Sequence, residues 1–357
     1  MLSVIMAGGV GQRFWPRSRR KHPKQLIDLT GKGSMLSLTV DRMLALSAPE
    51  EIFVITNAAQ VDAIIQDIGD KVPAENIVGE PVGRNTAPSI GLAAVLVERR
   101  FGDVPFMVLP ADHLIGDDEI FVRAARAAES YAADNDSLLT FGINPSRPET
   151  GYGYIHAGKQ LVGKDGIALF EANSFQEKPT VEKAAEFLAE GTYFWNSGMF
   201  FWRPSVIRRA IKTHIADLDR MLVDLDERLG TENMNDVLND IYGSAPSISI
   251  DYGIMEKAGN VVVLRGDFYW NDVGSWESVR EIFPKDADGN VLVGNHLVIG
   301  GGENTVFAPN RFVALIDVEG IAIVDSGDAI LVCRRDSVQQ VRDIVETLEK
   351  DGKENLI

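Results

Sequence analysis

The opening thirteen residues constrain the fold more than any other stretch. Leu2-Ser3-Val4-Ile5-Met6 is a short apolar run suited to a buried strand, and Ala7-Gly8-Gly9-Val10-Gly11-Gln12-Arg13 follows at once. Glycines directly after such a strand let backbone N–H groups approach an anion, because no Cβ stands between them and phosphate oxygens. Arg13 adds a rigid fork of donors that matches phosphate geometry. Arg17, Arg19, Arg20, Lys21 and Lys24 come next, in a chain of formal net charge −17, so the sign reverses locally. Taken alone, the stretch suits a polyphosphate cradle, a turn beside a solvated basic face, or a nucleic-acid patch. Two better-known glycine motifs do not apply: GxGxxG started at Gly9 ends on Phe14, and no GxxxxGK[ST] occurs.

Acidity of the whole chain argues against a duplex nucleic-acid binder, which carries a basic footprint. With 357 residues, 45% of them hydrophobic, the chain can bury one large core and a smaller second unit. Cys333 is the only cysteine, which excludes an intrachain disulfide and suits a reducing compartment. No signal-peptide layout and no apolar run of bilayer length is present, so a soluble, cytoplasmic protein without membrane partners is expected. His22, His113, His156, His214 and His296 are scattered, without HExxH or Cys/His pairing. Chemistry is therefore expected from carboxylates, cations and a hard metal ion rather than from zinc.

Apolar runs at 52–56, 105–109 and 138–141 alternate with helical patterns such as 90–99 and 120–133. That rhythm predicts an α/β fold: a Rossmann-like mixed, mostly parallel sheet flanked by helices. Ligands of such sheets gather beyond the carboxyl ends of strands, where the glycine turn and Asp112 fall. Asp165-Gly166 predicts a hairpin turn. Ile207, Ile211, Ile215, Leu218, Leu222, Leu225 and Leu229 recur at spacings of three and four, which predicts one apolar helix face. After Pro284-Lys285-Asp286 the texture changes to short β-like runs with Gly, Asn and Asp turns, closed by a helix carrying Val338, Val341, Val345 and Leu348. The expected division is a catalytic domain over 1–285 and a small β unit with a terminal helix over 286–357.

Several segments carry candidate chemistry. Asp112, in Pro110-Ala111-Asp112-His113, suits Mg²⁺, which takes one or two protein carboxylates and fills its shell with phosphate and water; an Asp capping the next segment fits equally. Asp272, in Trp270-Asn271-Asp272-Val273-Gly274-Ser275-Trp276, reads as a turn residue or, with Asp112, as half of a two-carboxylate metal site. Glu177 and Lys178 end a strand before Pro179 and suit sugar hydroxyls and a phosphate, or simply an edge charge pair. Asn196 lies in the aromatic run Tyr193-Phe194-Trp195-Asn196-Ser197-Gly198, which reads as a sugar pocket or as core beside a turn. Thr150-Gly151-Tyr152-Gly153 allows close backbone approach to a ligand. Glu80-Pro81-Val82-Gly83-Arg84-Asn85-Thr86-Ala87 reads as a loop leading into a helix, whose Asn85 and Thr86 can cap that helix or read a base edge.

Taken in order, these segments, with Trp15-Pro16-Arg17-Ser18-Arg19, Pro23-Lys24-Gln25 and the run Ser249-Ile250-Asp251-Tyr252-Gly253-Ile254-Met255-Glu256-Lys257, resemble the bacterial mannose-1-phosphate guanylyltransferases, or GDP-mannose pyrophosphorylases, over nearly the whole chain. Phe14 stands where that family usually has Leu. The resemblance implies a glycosyltransferase-A-like nucleotidyltransferase with a short left-handed β-helix at the C-terminus. It implies that Gly8, Gly9, Gly11, Arg13 and Lys24 hold nucleotide phosphates, and that Asn85 and Thr86 lie by guanosine. Asp112 and Asp272 would bind Mg²⁺. Gly151, Glu177 and Asn196 would contact the mannosyl group, and Lys178 its phosphate. GTP and mannose 1-phosphate are the implied substrates, with a homodimer assembled through the C-terminal unit. The isomerase domain of longer relatives is not found in the sequence, so isomerase activity is not expected. Another sugar 1-phosphate, such as a manno-heptose phosphate, and a non-catalytic sensor of GDP-mannose are the competing expectations.

Overall fold

The computed structural model describes residues 1–161 and 167–357; the Asp165-Gly166 turn lies outside them. The chain forms two compact units, neither contiguous in sequence. The first comprises Met1–Gly8, Thr39–Ala111 and Ile115–Trp270; the second comprises Gly9–Leu38, Asp112–Leu114 and Asn271–Ile357.

The first unit is built on a nine-stranded sheet. Its order is Ile77–Glu80, Ile52–Asn57, Leu2–Ala7, Phe106–Pro110, Tyr193–Trp202, Leu138–Ile143, Val261–Gly266, Leu169–Gln176, Tyr154–Leu161. The first four strands are parallel to one another, and Leu138–Ile143 is parallel to Val261–Gly266. Tyr193–Trp202 and Leu169–Gln176 run antiparallel to their neighbours, which makes the sheet mixed. Strands 2–7, 52–57 and 106–110 are buried on both faces, as their unbroken apolar sequence requires.

The helix Thr86–Phe101 runs through the core and is buried from Ala87 to Val95. At Gly91 a Cβ would stand 2.6 Å from Leu222, so a side chain there would push the neighbouring helix away. The apolar repeat from Ile207 onward belongs to two helices, Pro204–His214 and Ala216–Arg228, rather than one. Ile215 leaves the helical region (φ −138°, ψ 66°). It still donates its N–H to Ile211 and accepts from Asp219, so the spacing of three and four runs across the break and conceals it.

The second unit holds a four-stranded sheet, Val291–Gly302, Thr305–Glu319, Ile321–Asp325 and Ile330–Arg334, whose first three strands are parallel. Two long strands replace the shorter runs read from sequence. Residues 291–294 pair with 305–308 and 296–302 with 313–319, and the chain turns between them at Gly294 (φ 106°). Buried Asn304 ties successive turns: its N–H donates to Asn290 Oδ1 (2.9 Å), its Nδ2 to the Val318 carbonyl (2.9 Å), and its Oδ1 accepts from Ile321 N (3.1 Å). One sheet face packs Phe307, Ala322, Val324 and Leu331 with Phe14, Trp15, Trp276, Val338, Val341 and Val345. Cys333 is half-buried beside this core, and burial pushes its thiol pKa up. Among the described residues, no helix is long and apolar enough to cross a membrane.

Candidate active site

Each unit carries one cluster of the residues singled out above. In the second unit Gly11 takes a left-handed conformation (φ 70°), and a Cβ there would lie 2.3 Å from Lys24 Cβ. Only glycine lets the two backbones run this close, and Lys24 N donates to Val10 O at 3.1 Å. Gly9 has open space where a Cβ would stand. Lys24 is 5% exposed. Its Nζ donates to Asp112 Oδ2 at 2.7 Å and to the Asp272 carbonyl at 2.9 Å, and lies 5.4 Å from the Phe14 ring centre. Phe14 is fully buried against Trp276, with centroids 4.9 Å apart, so the larger residue at this position has a partner. Arg13 is anchored to Gln339 Oε1 at 3.3 Å.

Burial works against the Asp112 carboxylate, but Lys24 and His113 together hold its pKa below the usual range. Desolvation lowers the pKa of His113, while the fields of both Asp112 and Asp272 raise it, so both acids are felt at this imidazole. At Gly274 a Cβ would stand 2.9 Å from Asp272 Oδ2, so the turn leaves the carboxylate its space. Val273, between them, has φ 47°, a genuine outlier for a β-branched residue. The Asp112 carboxylate and the Asp272 backbone carbonyl meet at one ammonium, and the Asp112 carboxylate is a hard oxygen donor of the kind that fits a divalent ion with phosphate ligands. Among the described residues, no group of three or more His, Cys, Asp or Glu could hold a metal alone.

The second cluster belongs to the first unit. Asn196 N donates to Gly153 O (2.8 Å), and its Nδ2 donates to Asp251 Oδ1 (3.0 Å). Its Oδ1 accepts from Thr140 Oγ1 at 3.1 Å. At Gly153 a Cβ would stand 2.5 Å from Glu177 Oε2 and 3.3 Å from Asn196 Cβ, so this glycine makes room for the carboxylate. Gly151 instead donates its N–H to Glu149 Oε1 (2.9 Å). Lys178 Nζ lies 3.5 Å from Glu177 Oε1 and is 57% exposed, with a backbone φ of 46°. Tyr152 stacks edge-on with Trp195 and Trp270, giving an apolar wall.

Sequence alone gives Asp251 no role and reads Gly153 only as a place where a ligand could approach the backbone. Asp251 opens a π-helical turn, Asp251–Met255, a distortion that often marks functional positions. Burial, then the neighbouring charge of Glu177, pushes its pKa up to about 7. Burial also raises Glu177, with Lys178 pulling the other way. The available signal for Asp251 is its place in an otherwise apolar run ending in Glu256-Lys257; Glu256 Oε1 accepts from Glu177 N at 2.9 Å.

Asn85 and Thr86 serve the backbone. Asn85, at φ 68°, accepts from Thr86 N and caps the central helix, and Thr86 Oγ1 accepts from Ile250 N at 2.8 Å. Ala87 N donates to Ile248 O at 3.1 Å, so this loop is stitched to the segment that presents Asp251. Gly8 follows the first strand, and a Cβ there would stand 3.6 Å from Glu80 Oε2.

A glycine turn after a parallel strand and a buried ammonium beside acidic residues in one unit, and a polar cluster beside aromatic rings in the other, have the chemistry of phosphoryl-group transfer. The chain belongs to the nucleotidyl transferase family, whose model matches residues 2–289, in its mannose-1-phosphate guanylyltransferase branch. A mannose-phosphate isomerase/GMP-like β-helix domain matches residues 294–348. The chain is similar to mannose-1-phosphate guanylyltransferase RfbM of Salmonella typhimurium, at 40% identity over 99% of this chain and 73% of that protein. It is 36% identical to the alginate biosynthesis protein AlgA of Pseudomonas aeruginosa over 99% and 73% of the two chains. A crystal structure described as mannose-1-phosphate geranyltransferase from Thermus thermophilus superposes with TM-score 0.86 at 32% identity, covering 98% of this chain and 99% of that one.

Proposed function

We propose that the chain transfers GMP from GTP to α-D-mannose 1-phosphate, forming GDP-mannose and pyrophosphate. The observation that carries this reading is Lys24 held between the Asp112 carboxylate and the Asp272 carbonyl beside the glycine turn, in a chain 40% identical to a mannose-1-phosphate guanylyltransferase along almost its full length. A sugar phosphate is largely dianionic near neutral pH, with a second pKa of about 6 as in other phosphomonoesters. One of its oxygens can attack the α-phosphorus without a general base. The new P–O bond forms in line with the breaking bond to the β-phosphate, and pyrophosphate leaves with that bond's electrons.

The obstacle is repulsion between two anions. Gly9 and Gly11 offer backbone donors, while Arg13 and Lys24 offset nucleotide charge. Asp112 and Asp272 would hold Mg²⁺, which when bound neutralises phosphate charge in the manner of metal-assisted transfer. Lys178 takes the sugar phosphate, Glu177, Asn196 and Gly151 take sugar hydroxyls, and Gly8, Asn85 and Thr86 border the nucleoside. We place the reaction in the cytoplasm, and a second copy of the chain against the C-terminal sheet, where Leu297, Ile299, Phe312 and Ile316 are exposed.

Product identification tests the reaction. Incubation with GTP, mannose 1-phosphate and Mg²⁺ should yield GDP-mannose and stoichiometric pyrophosphate. Equal or better turnover with manno-heptose 1-phosphate, or none with mannose 1-phosphate, would overturn the sugar assignment.

A further inference from the structure

Asp251 is a partly buried acid that the transfer chemistry above does not use. Its neighbour Asn196 has a side-chain amide with one orientation. Gly198 N, which can only donate, lies 3.3 Å from Asn196 Oδ1, and buried Thr140 Oγ1 lies 3.1 Å from the same oxygen. The amide nitrogen therefore faces the other way, where it donates to Asp251 Oδ1 at 3.0 Å. One of its two N–H groups is spent on Asp251, and the other is left for a ligand. Asp251 is itself held firmly. It opens the π-helical turn Asp251–Met255, in which Glu256 N donates to the Asp251 carbonyl at 3.0 Å. Just before the turn Ile250 N donates to Thr86 Oγ1 at 2.8 Å, and within it a Cβ at Gly253 would come to 2.7 Å from Ile215 Cδ1. Just after it Glu256 Oε1 accepts from Glu177 N at 2.9 Å, so this one segment grips both Asn196 and Glu177.

We propose that Asp251 is a positioning residue for the sugar: it aims the free N–H of Asn196 at a ring hydroxyl and, by sharing a proton with Glu177, keeps one negative charge rather than two beside the incoming sugar phosphate. The charged groups that face it are Glu177 and Lys178, and Glu256 faces Glu177 in turn. Burial first, then the field of Glu177, raises the Asp251 pKa to about 7, against the field of Lys178 and the hydrogen bond from Asn196. Two acids coupled in this way titrate as a pair. With its proton, Asp251 can both donate to and accept from hydroxyl groups, as a polyol requires. Without it, a second carboxylate stands against an anionic substrate. The inference rests on the guanylyl-transfer reading above and names what orients the sugar in it.

Two variants test the two parts. Asp251→Leu removes the acceptor that aims Asn196. The KM for mannose 1-phosphate should rise about 10-fold, the scale of a lost hydrogen bond, with the KM for GTP within about 2-fold. Asp251→Asn keeps an acceptor oxygen and cannot ionise. Between about pH 7 and about pH 8.5 the wild-type KM for the sugar phosphate should rise about 5- to 10-fold as the shared proton is lost, while that of Asp251→Asn stays within about 2-fold. A residue that only braces the fold would move stability and leave both patterns as in the wild type. The proposal is overturned if Asp251→Leu leaves the sugar-phosphate KM unchanged, if the wild-type KM is flat over that range, or if Asp251→Asn follows the wild type. Should Asp251→Leu fail to fold, the two pH profiles decide alone. A wild type that forms no GDP-mannose would instead refute the guanylyl-transfer reading itself.

Discussion

In the Lys24 cluster an ammonium lies 2.7 Å from one carboxylate and 2.9 Å from the carbonyl of a second acidic residue, and the Asp112 acid is held below its ordinary pKa. In the Glu177 cluster two carboxyl groups crowd each other, one lysine is more than half exposed, and Asp251 titrates near 7. The first arrangement favours the charged form of the Asp112 carboxylate, which suits the phosphate and cation handling proposed for it. The second retains protons and can both donate to and accept from hydroxyl groups. Charge balance therefore separates the part suited to anions from the part suited to a neutral polyol, although carboxylates furnish both.

The largest effect should come from breaking the first arrangement. Asp112→Asn is expected to lower turnover about 10²- to 10³-fold, the scale of losing one preorganised charge-stabilising group. Pyrophosphate release measures it, with thermal unfolding as the check that the fold survives; near-normal turnover would remove Asp112 from phosphate or metal handling. The next effect sharpens the second arrangement. Because the folded-state pKa of Asp251 is raised to about 7, the native protein binds a proton that the unfolded chain releases above about 4. The stability this contributes is full below that lower value and is lost as pH rises through about 7. Asp251→Asn should therefore gain stability relative to the wild type between pH 5 and pH 8, by about 2 kcal/mol within a linkage limit of about 4. Urea midpoints at the two pH values would show it, and parallel profiles would rule it out. The smallest effect belongs to Lys178→Ala. Solvent screening of this exposed amine limits the change to about a 5- to 10-fold rise in KM for the sugar phosphate, shrinking as salt rises. An unchanged KM at low salt would take Lys178 out of phosphate binding.

The apolar runs at 52–56 and 138–141 lie in strands of the sheet, the run at 105–109 matches the strand Phe106–Pro110 shifted by one residue, and the patterns at 90–99 and 120–133 lie inside the helices Thr86–Phe101 and Asp118–Asp134. These were legible because burial on both faces demands continuous apolar sequence and because helix faces repeat. Lys24, Asp112 and Asp272 were legible as chemistry but not as neighbours, since nothing local tells an ammonium that its partner lies 88 residues on. Sequence alone assigns Asp251 no role and reads Gly153 only as room for a ligand. Each looks ordinary in its own segment, and only tertiary packing gives Asp251 a second acid and Gly153 a carboxylate to admit. The break at Ile215 was hidden for the opposite reason: the local pattern is too regular to betray a change in backbone.

Trp15 lies four residues past Gly11, and its indole N–H donates to the Leu356 carbonyl at 2.7 Å; the Trp276 indole donates in turn to the Trp15 carbonyl at 3.1 Å. The glycine turn thus borrows its footing from the far end of the polypeptide. Anyone exchanging coils between relatives would have to transplant residues 9–38 together with 271–357, because either piece alone would expose aromatic surface that the other normally shelters. For this reason the C-terminal coil cannot be treated as a detachable appendage in engineering, and changes far along the chain can be felt at the glycine turn.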